Sequence, residues 1–147
     1  MEAGQAQPQR SRHFAEKLKQ ASQNGSVRMI EIGSWAGQST VIWAKAFDEL
    51  QLSGNLIAVD PWIPYFDTNI NSGTRYTAMN QAPADGLIYK LFVHNIRSAG
   101  IAGRIDTRIG KSIEVLPSIP DHSIDLIYID DRTLMRMCFM TCSNRND

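Results

Sequence analysis

Four short strand-like runs, each ending at a glycine or an aspartate, constrain the fold of this chain more than any other feature. They are "VRMIEIG" at 27–33, "LIAVD" at 56–60, "RIDTRIG" at 104–110 and "SIDLIYID" at 123–130. Segments of helical periodicity separate them, and strands that alternate with helices favour parallel pairing through right-handed crossovers. We therefore predict an α/β fold with a doubly wound parallel sheet and flanking helices.

The predicted helices lie before and between these runs. They cover Ser11 to about Gln23, 38–50, most of 75–99 with an interruption near 82–86, and a short segment that ends around Pro117. In the region 75–99 we expect Leu87, Leu91 and Ile96 to form the apolar stripe. We expect residues 1–10 to be disordered, and the proline- and aromatic-rich stretch 61–74 to form a long, substrate-facing loop.

The composition excludes several classes of partner. The 147 residues include 15 Lys+Arg and 15 Asp+Glu, so the formal net charge is zero, and nothing in it favours nucleic acid or an anionic membrane as partner. No apolar run approaches the ~18–20 residues of a membrane helix. The polar N-terminus lacks the apolar centre of a secretory signal. We therefore expect one cytoplasmic domain.

The stretch "MIEIGSWAGQST", from Met29 to Thr40, predicts a ligand site. A strand ends, the chain turns at Gly33 and a helix begins near Gly37. Glycine lets the backbone pass close to a ligand, and the start of a helix offers unpaired N–H groups. Open α/β sheets bind ligands at the carboxyl ends of their strands. The pattern indicates a nucleotide-like site after the first strand.

The spacing of the same stretch distinguishes between ligands. A dinucleotide fingerprint is G-x-G-x-x-G, and its second glycine admits the pyrophosphate. Here the pattern is E-x-G-x-x-x-G, and Trp35 stands where that second glycine belongs. Glu31 adds a negative charge, which favours a cationic ligand such as a sulfonium that also carries an ammonium group. A nicotinamide oxidoreductase is disfavoured but stays an alternative.

The order of these segments resembles that of class I S-adenosylmethionine-dependent methyltransferases. "MIEIGSWAGQST" looks like their first motif, "LIAVDPW" like their second, "RIDTRIGKSIEVLP" like their third-strand segment and "HSIDLIYID" like their fourth strand. The nearest branch is the small bacterial O-methyltransferases that include the macrocin type, and the resemblance covers about residues 27–130. It implies a partial Rossmann-like sheet in the order 3-2-1-4, S-adenosylmethionine as cofactor, and a small-molecule or sugar hydroxyl as acceptor.

The resemblance also implies which residues bind the cofactor. Glu31 and the two glycines would line its methionine end, Asp60 would accept hydrogen bonds from the ribose hydroxyls, and the loop 110–112 would flank the adenine. The full candidate set is Glu31, Gly33, Ser34, Gly37, Ser39, Thr40, Asp60, Pro61, Trp62, Gly110, Lys111 and Ser112.

Most of these residues also have a purely structural interpretation, which the sequence leaves open. The glycines can serve helix–strand packing, Asp60 can form the turn before Pro61, and Lys111 can start a helix. For four further residues, packing or a place on the surface is favoured over a role in the site: Trp35, Trp43, His94 and His122.

Asp130, at the end of the fourth strand, is the candidate catalytic residue and metal ligand. It matches an acid that, in metal-dependent relatives, helps to hold Mg²⁺ beside the acceptor hydroxyl. One carboxylate is a weak indication, because Mg²⁺ takes oxygen ligands from several places. The resemblance leaves open whether a base or Mg²⁺ promotes loss of the hydroxyl proton.

The segment 131–147 departs from the family pattern, which continues as G-x-H-x-Y. It holds both cysteines, Cys138 and Cys142, and three of the six methionines. Two thiols without further ligands make a poor zinc site. We interpret this segment as an atypical, out-of-frame tail. Residues 11–130 are then the cofactor-binding half of a truncated domain with impaired activity.

A sheet that ends near Asp130 has a consequence for association. It leaves "IDLIYI" as an edge strand with an unpaired hydrogen-bonding ladder, and such edges invite strand addition. We expect self-association through this edge. The alternative function is a non-catalytic cofactor-binding or interaction module that pairs through the same edge.

Overall fold

The computed structural model describes residues 6–64, 69–70, 73–131 and 136–141. The strands are β1 (Ser26–Ile32), β2 (Ser53–Asp60), β3 (Ile105–Ile109), β4 (Leu126–Asp131) and β5 (Arg136–Thr141). The helices are α1 (Ala6–Ala21), α2 (Gln38–Glu49), α3 (Thr74–Ala84), α4 (Leu87–Ser98) and α5 (Ser112–Val115), with 3₁₀ turns at Ala102–Arg104 and Leu116–Ser118.

The described strands form one sheet in the order β3-β2-β1-β4-β5, and β1 to β4 are parallel. This arrangement confirms the predicted α/β class and the order 3-2-1-4. β1 keeps a continuous register with both β2 and β4 up to Ile32. Gly33, Asp60 and Asp130 therefore lie at one edge of the sheet, which we call the carboxyl edge.

The segment after Asp131 returns as a strand, and the prediction of an open edge at β4 is wrong. β5 pairs antiparallel with β4, from Leu126 opposite Thr141 to Asp131 opposite Arg136. An antiparallel return needs only a short connection, and an apolar strand gains from having its ladder paired. Cys138 lies in this strand, and Cys142 lies outside the described residues.

The main core lies between the sheet and helices α1, α2 and α4. Its centre is an aromatic cluster of Phe14, Trp43 and Tyr128, all fully buried. Phe14 stacks on Trp43 with ring centroids 3.7 Å apart, and both rings meet Tyr128 edge-on. Trp43 is thus a packing residue, as expected. The opposite face of the sheet carries a smaller core of Ile30, Ile57, Val59 and Val115.

Helix α4 buries a different stripe from the predicted one. Leu87 and Leu91 are 58% and 41% exposed, whereas Ile88, Phe92 and Ile96 are buried. Steps of four residues place the buried three on one face, and the aromatic ring of Phe92 packs against the rest of the core. The predicted stripe was therefore wrong by one residue at Leu87 and Leu91 and right at Ile96.

Helix α1 begins at Ala6, five residues before the predicted start at Ser11. Residues 6–10, which we expected to be disordered, are helical because the helix is anchored by Phe14 and Leu18 in the core. Residues 1–5 lie outside the described chain, as do 65–68 and 71–72 of the predicted loop. In the described ranges, no helix combines the length and apolarity needed to cross a bilayer.

Candidate functional site

The loop after β1 crosses the carboxyl edge on two glycines with left-handed backbone. Gly33 has φ 89° and Gly37 has φ 83°. A Cβ on Gly33 would lie 2.7 Å from the carbonyl oxygen of Asp130, and one on Gly37 would lie 2.9 Å from the ring of Phe92. Both glycines therefore serve packing, which was one of the two interpretations left open.

Glu31 is fully buried beneath this turn and is surrounded by hydroxyl groups. Its Oε2 accepts hydrogen bonds from Ser34 Oγ, at 3.0 Å, and from Thr40 Oγ1. Among the described residues, its Oε1 has no hydrogen-bond partner. Burial raises the pKa of Glu31, and the hydroxyls of Ser39, Thr40 and Ser34 oppose that shift. The site thus contains a buried acceptor oxygen that is open to a further donor.

Asp60 holds the two loops of the carboxyl edge together. Its Oδ2 accepts the backbone N–H of Trp35 at 2.9 Å, and its Oδ1 accepts that of Trp62 at 2.8 Å. The bond to Trp62, two residues ahead, is that of an Asx-type turn. The structural interpretation of Asp60 therefore holds.

Both tryptophans of the edge have left-handed backbone, with φ 49° at Trp35 and 46° at Trp62. The indole N–H of Trp62 donates to the carbonyl oxygen of Trp35 at 2.7 Å. The Trp62 ring is buried against Tyr89 and Phe92. Trp62 is therefore a core residue in this structure, whereas the side chain of Trp35 is half-buried beside the turn.

The loop after β3 reaches the same edge through its backbone. The N–H of Gly110 donates to the carbonyl oxygen of Asp60 at 3.1 Å. The N–H of Lys111 donates to the carboxylate of Glu114 at 3.0 Å, and Ser112 is the first residue of α5. The structure thus brings Gly110 next to Asp60. The side chain of Lys111 is exposed and its backbone begins a helix, as the alternative interpretation held.

A residue that the sequence did not single out, Arg10, reaches Asp130 from α1. Its Nη2 lies 2.8 Å from the hydroxyl of Tyr128 and 3.4 Å from Oδ2 of Asp130. Burial raises the pKa of Tyr128 to about 12, with a contribution from Asp130, while the hydrogen bond and charge of Arg10 act in the opposite direction. Arg10 precedes Phe14 by one helical turn. This spacing was the sequence indication that Arg10 lies on the same face of the helix as a core residue.

The profile of a methyltransferase domain family matches residues 30–142, which is more than half of the chain. The chain belongs to this methyltransferase family. The match begins inside the glycine motif and extends twelve residues beyond Asp130, through β5. The segment that we interpreted as atypical is therefore partly covered by the family. Among curated proteins, none matches the chain.

Solved methyltransferases share this fold at low sequence identity. The O-methyltransferase TomG from Streptomyces achromogenes, involved in tomaymycin synthesis and solved with S-adenosylmethionine, has a TM-score of 0.53 and 16% identity over 84% of this chain. An O-methyltransferase from Bacillus cereus in complex with S-adenosylhomocysteine gives 0.52 and 18% over 84%. An S-adenosylhomocysteine-bound methyltransferase from Podospora anserina gives 0.53 and 14% over 88%.

The matches cover only part of those structures. They include 43% of the Streptomyces chain, 44% of the Bacillus chain and 42% of the Podospora chain. This chain therefore spans less than half the length of these three structures. At these identities the likeness establishes the fold alone.

The described residues of this methyltransferase do not fit the Mg²⁺ site that the sequence suggested at Asp130. The carboxylate of Asp130 faces the guanidinium of Arg10. Nowhere in the described part of the chain do three or more His, Cys, Asp or Glu side chains converge as metal ligands. The carboxylate of Glu31 already accepts hydrogen bonds from two hydroxyl groups, and the charge of Asp130 contributes to its raised pKa. His94 and His122 are both exposed.

Proposed function

We propose that this chain is the cofactor-binding part of an S-adenosylmethionine-dependent O-methyltransferase. The acceptor that we propose is a hydroxyl of a small molecule or sugar. The observation that carries the proposal is the fully buried carboxylate of Glu31 beneath a glycine turn at the end of β1, whose Oε1 has no hydrogen-bond partner among the residues that the structure describes. The presence of S-adenosylmethionine or S-adenosylhomocysteine in structures that share the fold supports it.

The residues at the turn fit the methionine end of this cofactor. A buried acceptor without a partner is unfavourable, and an ammonium donor would both pair with Glu31 and neutralise its charge. Gly33 and Gly37 allow the left-handed backbone with which this loop crosses the carboxyl edge. We assign the methionine end to Glu31, Gly33, Ser34, Gly37, Ser39 and Thr40.

The nucleoside end is assigned to the neighbouring loops. The carboxylate of Asp60 is fixed by two backbone N–H donors at the end of β2, and the two acceptor oxygens of a carboxylate suit the two hydroxyls of a ribose. The loop 110–112 is tied to Asp60 through Gly110 and lies where the adenine is proposed. Trp62 follows Pro61. Its backbone N–H donates to the carboxylate of Asp60, and its indole N–H donates to the carbonyl oxygen of Trp35. We therefore assign Trp62 to positioning rather than stacking.

When bound, S-adenosylmethionine supplies an electrophilic methyl group on a sulfonium. The task of the protein is then to orient the acceptor hydroxyl and to receive its proton, and orientation alone accounts for much of the rate in such reactions. Asp130 lies at the carboxyl edge with its side chain 20% exposed. We propose that its carboxylate receives the hydroxyl proton.

Calorimetric titration separates this proposal from the nicotinamide alternative. We expect saturable binding of S-adenosylhomocysteine and no binding of NAD⁺, because Trp35 stands where a dinucleotide site needs a glycine. Binding of NAD⁺ in preference to S-adenosylhomocysteine would refute the proposal. The impaired methyl transfer that the sequence suggested stays a prediction, to be measured with the same preparation once an acceptor is known.

A further inference from the structure

Arg10 is held at the carboxyl edge by contacts on three sides. Its Nη2 donates to the hydroxyl of Tyr128 at 2.8 Å and faces Asp130 Oδ2 at 3.4 Å. Its Cζ lies 5.3 Å from the ring centroid of Phe14, one turn further along α1, in a cation–π arrangement. Tyr128 and Asp130 lie in β4, 118 and 120 positions from Arg10 in the chain, so the fold itself brings this cation to the edge.

The support beneath Arg10 is rigid. Phe14 stacks on Trp43 of α2 with an interplanar angle of 9°, and both rings contact Tyr128. A helix fixed by such a buried aromatic cluster places its next turn with little freedom. The guanidinium therefore has a defined position at the edge, unlike that of an arginine whose side chain extends into solvent.

The ion pair borders the loop proposed to bind the cofactor. The backbone carbonyl of Asp130 lies against Gly33. The side chains of Arg10 and Asp130 are 28% and 20% exposed, so small molecules can reach them from solvent. Within the described residues, the buried Nε–H of Arg10 has no acceptor.

The same position is where the sequence suggested Mg²⁺. A divalent cation at Asp130 needs several oxygen ligands in near-octahedral geometry. It would also have to approach a fixed guanidinium, and like charges repel strongly at such separations. Of the other described carboxylates at this edge, Asp60 accepts two backbone N–H groups and Glu31 accepts two buried hydroxyls.

We propose that Arg10 supplies at Asp130 the positive charge that a divalent cation would otherwise supply, and that no divalent cation binds there. Arg10 is then a positioning residue: it neutralises and orients the Asp130 carboxylate beside the acceptor. The inference rests on the proposed methyltransferase function for its biological meaning. Its test uses a metal ion alone and does not depend on cofactor binding.

The experiment is a titration of the full chain with Mn²⁺, in which free Mn²⁺ is followed by electron paramagnetic resonance. The wild type should show no saturable site. Arg10→Gln should gain one, with an affinity at least about tenfold tighter than the detection limit that bounds the wild type, because one repelling charge has been removed. The double variant Arg10→Gln/Asp130→Asn should lose that gain. Arg28→Gln is the matched control, since Arg28 is 53% exposed and pairs with Asp125 away from the site.

Two outcomes would overturn the inference. One is a wild-type chain that binds Mn²⁺ and loses the ion on Asp130→Asn, and the other is a gain in Arg10→Gln that persists in the double variant. If Arg10→Gln does not fold, Arg10→Lys decides the matter together with the wild type, because it keeps the charge and should exclude Mn²⁺ equally. A failure to bind S-adenosylhomocysteine would count against the proposed function and leave these Mn²⁺ results interpretable.

Discussion

The carbonyl oxygen of Asp130 lies 2.7 Å from the point that a Cβ on Gly33 would occupy. This contact joins the loop after β1 to the end of β4. No side chain fits between them, so the loop proposed to bind the cofactor and the proposed proton acceptor are held close together. The two residues are 97 positions apart in the chain, and the relationship arises from the parallel pairing of β1 with β4.

Gly33→Ala should destabilise the protein through both strain and contact. The left-handed backbone costs a residue with a Cβ about 1–2 kcal/mol, and the approach to Asp130 adds a further penalty. Gly25→Ala is the matched control, because Gly25 has φ 76° but nothing within 4 Å of its Cβ position. Chemical denaturation should show a larger loss at Gly33. Equal losses in the two variants would show that the contact does not matter.

Glu31 should make stability depend on pH. Burial raises its pKa above the ordinary value of 4.5, so the folded state binds this proton more tightly than the unfolded state does. The associated stability is fully present below the unfolded value and is lost as pH rises through the folded value. Glu31→Gln cannot titrate at this position, so the difference in Tm between the variant and the wild type should change in favour of the variant as pH rises. For a chain of this size, each kcal/mol in the free energy of unfolding corresponds to about 2–4 °C in Tm. Parallel Tm curves for the two proteins would contradict this.

Tyr128 should produce a second loss of stability in the alkaline range. Its folded pKa is about 12, raised from 10.0, so the folded state keeps a proton that the unfolded state releases. The contribution is present below pH 10 and disappears as pH rises toward 12. Tyr128→Phe should show a shallower decline than the wild type over this range in urea unfolding experiments. An unchanged slope would mean that the hydroxyl titrates normally.

Deletion of residues 132–147 should expose the edge of β4 and cause association. β5 pairs with β4 over six residues, and its removal leaves an apolar strand with an unpaired ladder. In sedimentation velocity, the shortened chain should form dimers or larger species at concentrations at which the full chain does not. A shortened chain that sediments like the full one would show that β5 does not protect this edge.

The α/β class could be predicted because strand-like runs that end in a glycine or an acid alternate with helical segments, and the order 3-2-1-4 followed from the resemblance to class I methyltransferases. β5 could not be predicted, since "RMCFMT" lacks the alternation of polar and apolar residues that marks a half-buried strand. The position of β5 depends on hydrogen bonding to the backbone of β4. The α4 stripe was missed at Leu87 and Leu91 for a related reason: several apolar residues in one helix allow more than one face.

In the site, Glu31, Gly33, Asp60 and Gly110 do lie together at one edge, as their positions after parallel strands predicted. Their pairings could not be read from the sequence. The backbone N–H groups of Trp35 and Trp62 donate to Asp60. These hydrogen bonds depend on a left-handed backbone at both tryptophans, which is uncommon for such residues. Arg10 was missed because it lies in a polar segment whose helical structure depends on packing further along.

The most direct test of the proposed cofactor site is the affinity of S-adenosylhomocysteine for the wild type, Glu31→Gln and Glu16→Gln in one calorimetric series. Glu16 is exposed on α1 and serves as the charge-matched control. Loss of a charge-assisted hydrogen bond worth about 1.5–3 kcal/mol should weaken binding by roughly ten- to a hundredfold in Glu31→Gln. Glu16→Gln should bind like the wild type. Equal affinity in all three proteins would contradict the assignment of Glu31 to the cofactor.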